Sequence, residues 1–225
     1  MIKENLRKIL DDIKNCGAGN VKLMAVSKTY PAEAVREAQE AGQILFGENR
    51  AIEARDKFQD ELVTALPFDL HIIGHLQRNK IKDAIKVASM IESIDKIETL
   101  QELEKQCAKA DKKIDYLIEI NSSLEEQKSG VYPDKFAEFA EEILNADFPH
   151  CKLCGVMTVG PLTEDAEKIR NAFSGVRKMF ESLQKMTGDI DILSMGMSAD
   201  YRIAIDEGST QVRVGSAIFG RRNYN

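Results

Sequence analysis

The chain has 225 residues, 43% of them hydrophobic and 30% charged, with a formal net charge of -6. That is ample apolar material for one large core, and a charge balance that excludes a broad nucleic-acid or anionic-membrane surface. No apolar run approaches the roughly 20 residues of a membrane span.

The opening segment, MIKENLRKILDDIKN, reads as an amphipathic helix with mixed charges and not as a signal peptide. Short apolar runs then alternate with helical patterns to the end of the chain. The strand candidates are 21–26, 44–48, 70–74, 90–95, 115–121, 153–158, 192–197 and 211–215. Helical spacing of apolar residues fills 31–41, 49–62, 77–88, 96–110, 133–145 and 164–187. Pro31 and Pro133 suit first-turn positions, and Thr163-Glu164-Asp165 suits a helix start. The last strand runs into a short GSAIFG segment.

Eight β/α units without a composition break predict a single (β/α)₈ TIM barrel over 1–225, with a doubly wound open sheet as the structural alternative. The four cysteines, Cys16, Cys107, Cys151 and Cys154, are scattered as expected of free thiols in a reducing compartment, which points to the cytoplasm.

Barrel chemistry sits at the C-terminal strand ends. There the sequence places Lys28; Gly47, Glu48 and Asn49; Gly74 and His75; Ser93 and Asp95; Asn121; Met157 and Thr158; Ser194, Gly196 and Ser198; and Arg213, Gly215 and Ser216. Alternation puts Met24, Val26 and Lys28 on one face, and Gln211, Arg213 and Gly215 on one face. If those faces are the interior, a lysine and an arginine meet at the mouth and repel unless something anionic lies between them.

The segments SMGMSADY and RVGSAIFG each run from a strand through glycine and serine into a helical turn. Two such turns after strands seven and eight suit a phosphate. A lysine that forms a Schiff base beside a phosphate site suggests a phosphorylated aldehyde. Pyridoxal 5′-phosphate supplies both groups, and its pyridine nitrogen needs a partner, for which Arg213 is the candidate.

The segments AVSKTYP, FGENR, HIIGHLQRNK, SMGMSADY and VRVGSAIFG, in that order over nearly the whole chain, closely resemble the pyridoxal phosphate homeostasis proteins, whose fold is similar to the barrel domain of alanine racemase. The resemblance implies that Lys28 carries pyridoxal 5′-phosphate as an internal aldimine and that Arg213 faces the pyridine nitrogen. It implies further that Ser198, Gly215 and Ser216 hold the phosphate, and that Asn49, His75 and Met195 line the cofactor. It also implies cofactor storage or delivery without strong catalysis, with pyridoxal-phosphate-dependent apoenzymes as candidate recipients. Alanine racemase supplies a catalytic tyrosine from a second, β-rich domain. This chain ends at Asn225 directly after the barrel, so neither that domain nor its dimerisation is expected, and the expected state is a monomer.

Plainer readings stand beside these. Lys28 alone is a loop lysine, Arg213 alone an ion-pair member, and Gly196, Gly215 and Gly220 turn glycines. Cys151-x-x-Cys154 has no second pair and is read as ordinary cysteines, Cys154 at a strand start. His71 and His75 lack the glutamate of a zinc helix motif, and His71 is read as a packed strand residue, so no metal is expected. Glu48 is either an acid/base group or an orienting one. The loop 125–131 is a mobile lid or a solvated turn, and Arg78, Lys80 and Lys82 form a solvated basic face. The competing functions are an amino-acid racemase or decarboxylase using the same cofactor, and a colourless Schiff-base aldolase acting on a sugar phosphate.

Overall fold

The computed structural model describes residues 1–17 and 19–220. Eight parallel strands close a barrel in sequence order: β1 (Lys22–Val26), β2 (Leu45–Glu48), β3 (Asp69–Ile72), β4 (Met90–Ile94), β5 (Ile114–Ile120), β6 (Cys151–Thr158), β7 (Ile192–Ser194) and β8 (Gln211–Val214). Closure is direct: Lys22, Leu23, Met24 and Ala25 pair with Gln211, Val212, Arg213 and Val214. That register sets Met24 beside Arg213 and carries Val26 and Lys28 up the wall next to Gly215. The open-sheet alternative is thereby excluded.

The helices are α1 (Ile2–Asn15), α2 (Ala32–Glu40), α3 (Ala51–Phe58), α4 (Glu61–Thr64), α5 (Ile81–Ala84), α6 (Ile97–Ala110), α7 (Phe136–Asn145), α8 (Ala166–Thr187), α9 (Tyr201–Asp206) and α10 (Ser216–Phe219). Two helices and one strand differ most from the sequence expectation. The helix expected over 49–62 breaks in two, because the Asp60 carboxylate accepts the Leu62 amide at 2.8 Å and starts α4 afresh. The one expected over 77–88 contracts to a 3₁₀ turn at Arg78–Lys80 and the single turn of α5. The strand expected over 192–197 stops at Ser194, and Gly196 at φ +95° turns the chain away. Among the described residues no helix is long and apolar enough to cross a membrane.

Alternation decides which side chains face the helices. Leu23, Ala25, Phe46, Ile72, Ile91, Ile118, Val156, Leu193, Val212 and Val214 belong to the large core between barrel and helices. α1 adds Ile2, Leu6, Ile9 and Ile13 at helical spacing; burying four such side chains is worth on the order of 6–10 kcal/mol as an upper bound. The helix is tied down where the site lies. Asn5 donates to Ile218 O at 2.8 Å, and Asp12 accepts from Tyr201 at 2.5 Å and from Arg202 at 2.7 and 2.8 Å.

Inside the barrel, Met90, Leu117, Cys154, Met157 and Ile192 form a small apolar cluster. Met24 also faces inward, beside Arg213, and Gly47 makes room for it: a Cβ there would stand 2.5 Å from Met24 Sδ. Buried polar side chains, His71, Glu92, Ser194, Gln211 and Arg213 among them, share that interior. β6 begins at Cys151, so Cys154 lies within the strand and not at its start. Both cysteines are buried free thiols.

Candidate functional site

At the C-terminal mouth, Val26, Lys28, Asn49, Ile73, Val159, Met197, Ser198, Ala199, Arg213, Gly215 and Ser216 line one cavity of about 470 Å³. Six of the eight sequence-derived site residues meet there: Lys28, Asn49, Ser198, Arg213, Gly215 and Ser216. His75 does not. It is exposed, 3.4 Å from Ser129 Oγ, and lines a neighbouring recess with Arg50, Gln77 and Lys80; Asn49 borders both spaces. Met195 does not either. With Ser194 turned inward, Met195 faces outward and is fully buried in the helix-side core. Met197 is the methionine on the cavity wall.

The fold delivers each residue by a specific contact. Lys28 follows β1 and is half-buried. The loop after it is held across the barrel seam, where Tyr30 stacks on Phe219 at 4.9 Å and donates to Gly220 O at 2.6 Å. Asn49 sits where the chain leaves β2, packed so closely on Gly74 that a Cβ at 74 would stand 2.4 Å from Asn49 O. Ser198 and Ser216 converge from α9's approach and α10's first residue, their hydroxyls 3.4 Å apart. No side chain caps α10, and Gly215 lies close enough to β1 that a Cβ would meet Val26 O at 3.2 Å.

Arg213 is buried and fully oriented. One terminal nitrogen donates to Ser194 Oγ at 2.7 Å and the other to Thr158 O at 2.7 Å. Behind it lies a network that the sequence reading missed. Glu92 Oε2 accepts from Ser194, Glu92 Oε1 accepts from Gln211, each at 2.7 Å, and Oε1 also faces His71 Nδ1 at 2.6 Å. His71 Nε2 is 3.8 Å from Asp69. Burial pulls His71 down, but Asp69 and Glu92 outweigh it and raise its pKa to about 9, so the imidazole is a cation at neutral pH. Burial opposes ionisation of Glu92, yet His71 and Arg213 hold its pKa below the ordinary value. Burial also lowers Arg213, with Glu92, Glu119 and Asp200 opposing. Glu119, pushed up to about 7 by burial and Asp95, keeps one buried oxygen without a hydrogen-bond partner. The polar residues His71, Glu92, Ser194, Gln211 and Arg213, on strands that are otherwise mostly apolar, were the available signal.

A second buried network surrounds the chain on either side of Lys28. Lys57 donates to Ser27 O at 2.8 Å, to Glu48 Oε1 at 2.8 Å and to Glu53 Oε1 at 3.2 Å. Ser27 Oγ donates to Glu48 at 2.7 Å, and the Thr29 amide to Glu53 at 2.6 Å. Thr29 has φ +69°, a left-handed conformation that costs a β-branched residue about 1–2 kcal/mol. Burial raises the pKa of Glu48, with Lys57 opposing. Glu48 holds Ser27 and Lys57 and does not border the cavity.

The remaining sequence candidates settle away from the cavity. The 125–131 loop is tied: Asn121 donates to Glu125 O and Lys128 O, and Lys128 pairs with Glu125 at 2.6 Å. Among the described residues no cluster of three or more His, Cys, Asp or Glu side chains is placed to hold a metal ion.

The donor set fits a small phosphorylated aldehyde: an amine at the mouth, an oriented guanidinium on the floor, and two hydroxyls beside an uncapped turn at the rim. Comparison with known proteins agrees. Residues 1–223 match the family described as "Alanine racemase, N-terminal domain". The chain is 38% identical to the pyridoxal phosphate homeostasis protein of Pasteurella multocida, over 100% of this chain and 99% of that one. It is 37% identical to the protein of the same description in Aquifex aeolicus, over 98% of both. Among solved structures, PipY of Synechococcus elongatus with pyridoxal phosphate bound superposes with a TM-score of 0.86 at 31% identity, covering 98% of this chain and 100% of that one. Alanine racemase of Clostridium difficile shares the fold, with a TM-score of 0.74 at 20% identity; the match covers 99% of this chain and 57% of the racemase.

Proposed function

The chain belongs to the pyridoxal phosphate homeostasis proteins, and from that premise we propose that it holds pyridoxal 5′-phosphate reversibly through Lys28. The observation that carries this reading is the meeting of Lys28, Arg213, Ser198 and Ser216 on the wall of one cavity. The cofactor supplies an aldehyde for the lysine amine and an electron-withdrawing pyridine ring.

The chain's own residues do the rest. The Ser198 and Ser216 hydroxyls and the glycine floor at Gly215 hold the phosphate. Arg213, locked by Ser194 and Thr158 O, donates to the ring nitrogen without giving up a proton, since a guanidinium stays charged. Asn49 borders the ring. Lys28 provides the amine for attachment and release.

Storage and delivery, not turnover, is the role we assign, exercised in the cytoplasm by a monomer whose whole 1–225 length acts as one domain. Pyridoxal-phosphate-dependent apoenzymes are the recipients. Support comes from the cavity wall, whose titratable side chains among the described residues are Lys28 and Arg213. Exchange with an incoming amine needs only the lysine, whereas racemisation needs a base on each face of the substrate.

The test is the visible absorption spectrum of purified protein given pyridoxal 5′-phosphate, with Lys28→Ala in parallel and amino-acid racemisation assayed on the same samples. A cofactor band in the wild type that the variant lacks, without turnover, is the expected result. A colourless wild type sinks the cofactor assignment. Racemisation at ordinary enzymatic rates sinks the storage role.

A further inference from the structure

We infer that Lys57, together with Glu48 and Glu53, is a positioning frame for Lys28, fixing the backbone on both sides of the attachment lysine. The inference rests on the assignment of Lys28 above and goes beyond it, because none of the three residues borders the cavity.

A lysine has a flexible four-carbon stem, so only its backbone can be placed rigidly by the fold. At Lys28 the strand hydrogen bonding has just ended: Ser27 N donates to Gly47 O at 3.1 Å. Beyond that point the frame takes over. The ammonium of Lys57 has three donors and meets three acceptors. One is Ser27 O, directly before Lys28. Another is Glu53 Oε1, the same oxygen that accepts the Thr29 amide directly after Lys28. The third is Glu48 Oε1, which also accepts the Ser27 hydroxyl. One buried ammonium thus grips the chain before Lys28 directly and the chain after it through Glu53. The grip is needed, since Thr29 is held in a left-handed conformation that a threonine leaves when released.

A purely structural role accounts poorly for this choice of residues. The Lys57 side chain is 7% exposed and that of Glu48 is 0% exposed. A buried ion pair is a weak source of stability compared with apolar side chains of the same size. Its strength is fixed geometry, and here the geometry is spent on the two peptide units flanking one lysine. Lys57 and Glu53 lie four residues apart on α3, so the frame is built on a rigid element.

Attachment needs the lysine amine within bonding reach of a carbonyl whose far end is held by the phosphate site. Binding of a ligand without the aldehyde needs no such alignment. The two ligands therefore separate positioning from general integrity. Glu53→Ala removes the Thr29 acceptor and one Lys57 partner from a partly exposed position. It is expected to weaken retention of pyridoxal 5′-phosphate about tenfold and to leave pyridoxamine 5′-phosphate, which carries an amine in place of the aldehyde, within about twofold. Glu53→Gln, which keeps the acceptor oxygen, should restore retention. The paired change Glu48→Leu with Lys57→Met, which strands no buried charge, should show the same split. Equilibrium dialysis with both ligands, and borohydride reduction with mass spectrometry of the Lys28 peptide, read the outcome. Parallel loss of both ligands, unchanged retention in Glu53→Ala, or no rescue by Glu53→Gln overturns the frame while leaving Lys28 as the attachment point. No reduced adduct on Lys28 in the wild type overturns both.

Discussion

Replacing His71 with glutamine should abolish a pH-dependent share of the protein's stability. His71 is 4% exposed inside the barrel, between Glu92 at 2.6 Å and Asp69 at 3.8 Å. Its pKa rises from the ordinary 6.5 to about 9 on folding: burial opposes the charge, and the two carboxylates outweigh burial. Because the folded value is the higher one, the stabilisation is complete below the unfolded pKa. It is lost as pH climbs from about 6.5 through about 9. The difference corresponds to about 3 kcal/mol, which for a chain of this size is about 10 °C in Tm. Glutamine keeps one amide donor for Glu92 and has no charge to lose. Thermal melts of wild type and His71→Gln at intervals from about pH 6 to pH 9.5 should therefore start well apart and converge. Asp69, Glu92, Arg213 and Lys22 are the charged neighbours of the pair, and all are present in both proteins. Glu119, which titrates near 7, also titrates in both and cancels in the difference. Two melting profiles that fall in parallel would refute the reasoning, since they would mean that His71 is uncharged when folded.

Two further outcomes are expected. Gly155 pairs with Ile192 in the barrel wall at φ +153°, and a Cβ there would stand 1.9 Å from Ile192 O. Gly155→Ala should cost about 3 kcal/mol or more, read as a Tm loss of about 10 °C or as failure to accumulate soluble protein. The paired change Ser198→Ala with Ser216→Ala should weaken binding of pyridoxal 5′-phosphate about tenfold, the equivalent of 1.4 kcal/mol, and leave that of dephosphorylated pyridoxal unchanged. Titrations with the two ligands check it.

The barrel was legible because a buried parallel strand is a short apolar run and a crossover helix is a longer periodic one. Lys28 and Arg213 were legible for a related reason: each continues the inward parity of its strand, and a charge there is conspicuous. The misplaced residues show where that logic ends. Met195 lies one position past Ser194, and since Ser194 must face inward to reach Glu92 and Arg213, Met195 must face the helices. His75 lies past the end of β3, where strand alternation no longer applies. Lys57 was hidden because apolar spacing alone marks 49–62 as helix and says nothing of which charged side chains are buried. Its burial depends on Glu48, Ser27 and Glu53 arriving from two other elements and from its own previous turn, which no local pattern encodes. The interior network was missed for the same reason. His71 and Glu92 are far apart in sequence from Ser194, Gln211 and Arg213, and only barrel closure brings them together.

The two networks together answer how one barrel mouth tolerates both a lysine and an arginine. Each cation has carboxylates on the side away from the cavity. Glu48 and Glu53 flank the chain that carries Lys28, and Glu92, Glu119 and Asp200 surround Arg213. The carboxylates are engaged by groups other than the cavity: Glu48 by Ser27 and Lys57, Glu53 by Thr29 and Lys57, Glu92 by His71, Ser194 and Gln211. None of the five borders the cavity itself, so its wall carries cationic and neutral residues and no carboxylate. In a protein of net charge -6, that makes the mouth a local excess of positive charge, and an anion bound there, as the proposed function requires, would screen the lysine from the arginine. On the proposed function, charges placed behind the wall select the ligand's sign, and the serines at the rim and Lys28 select its two ends.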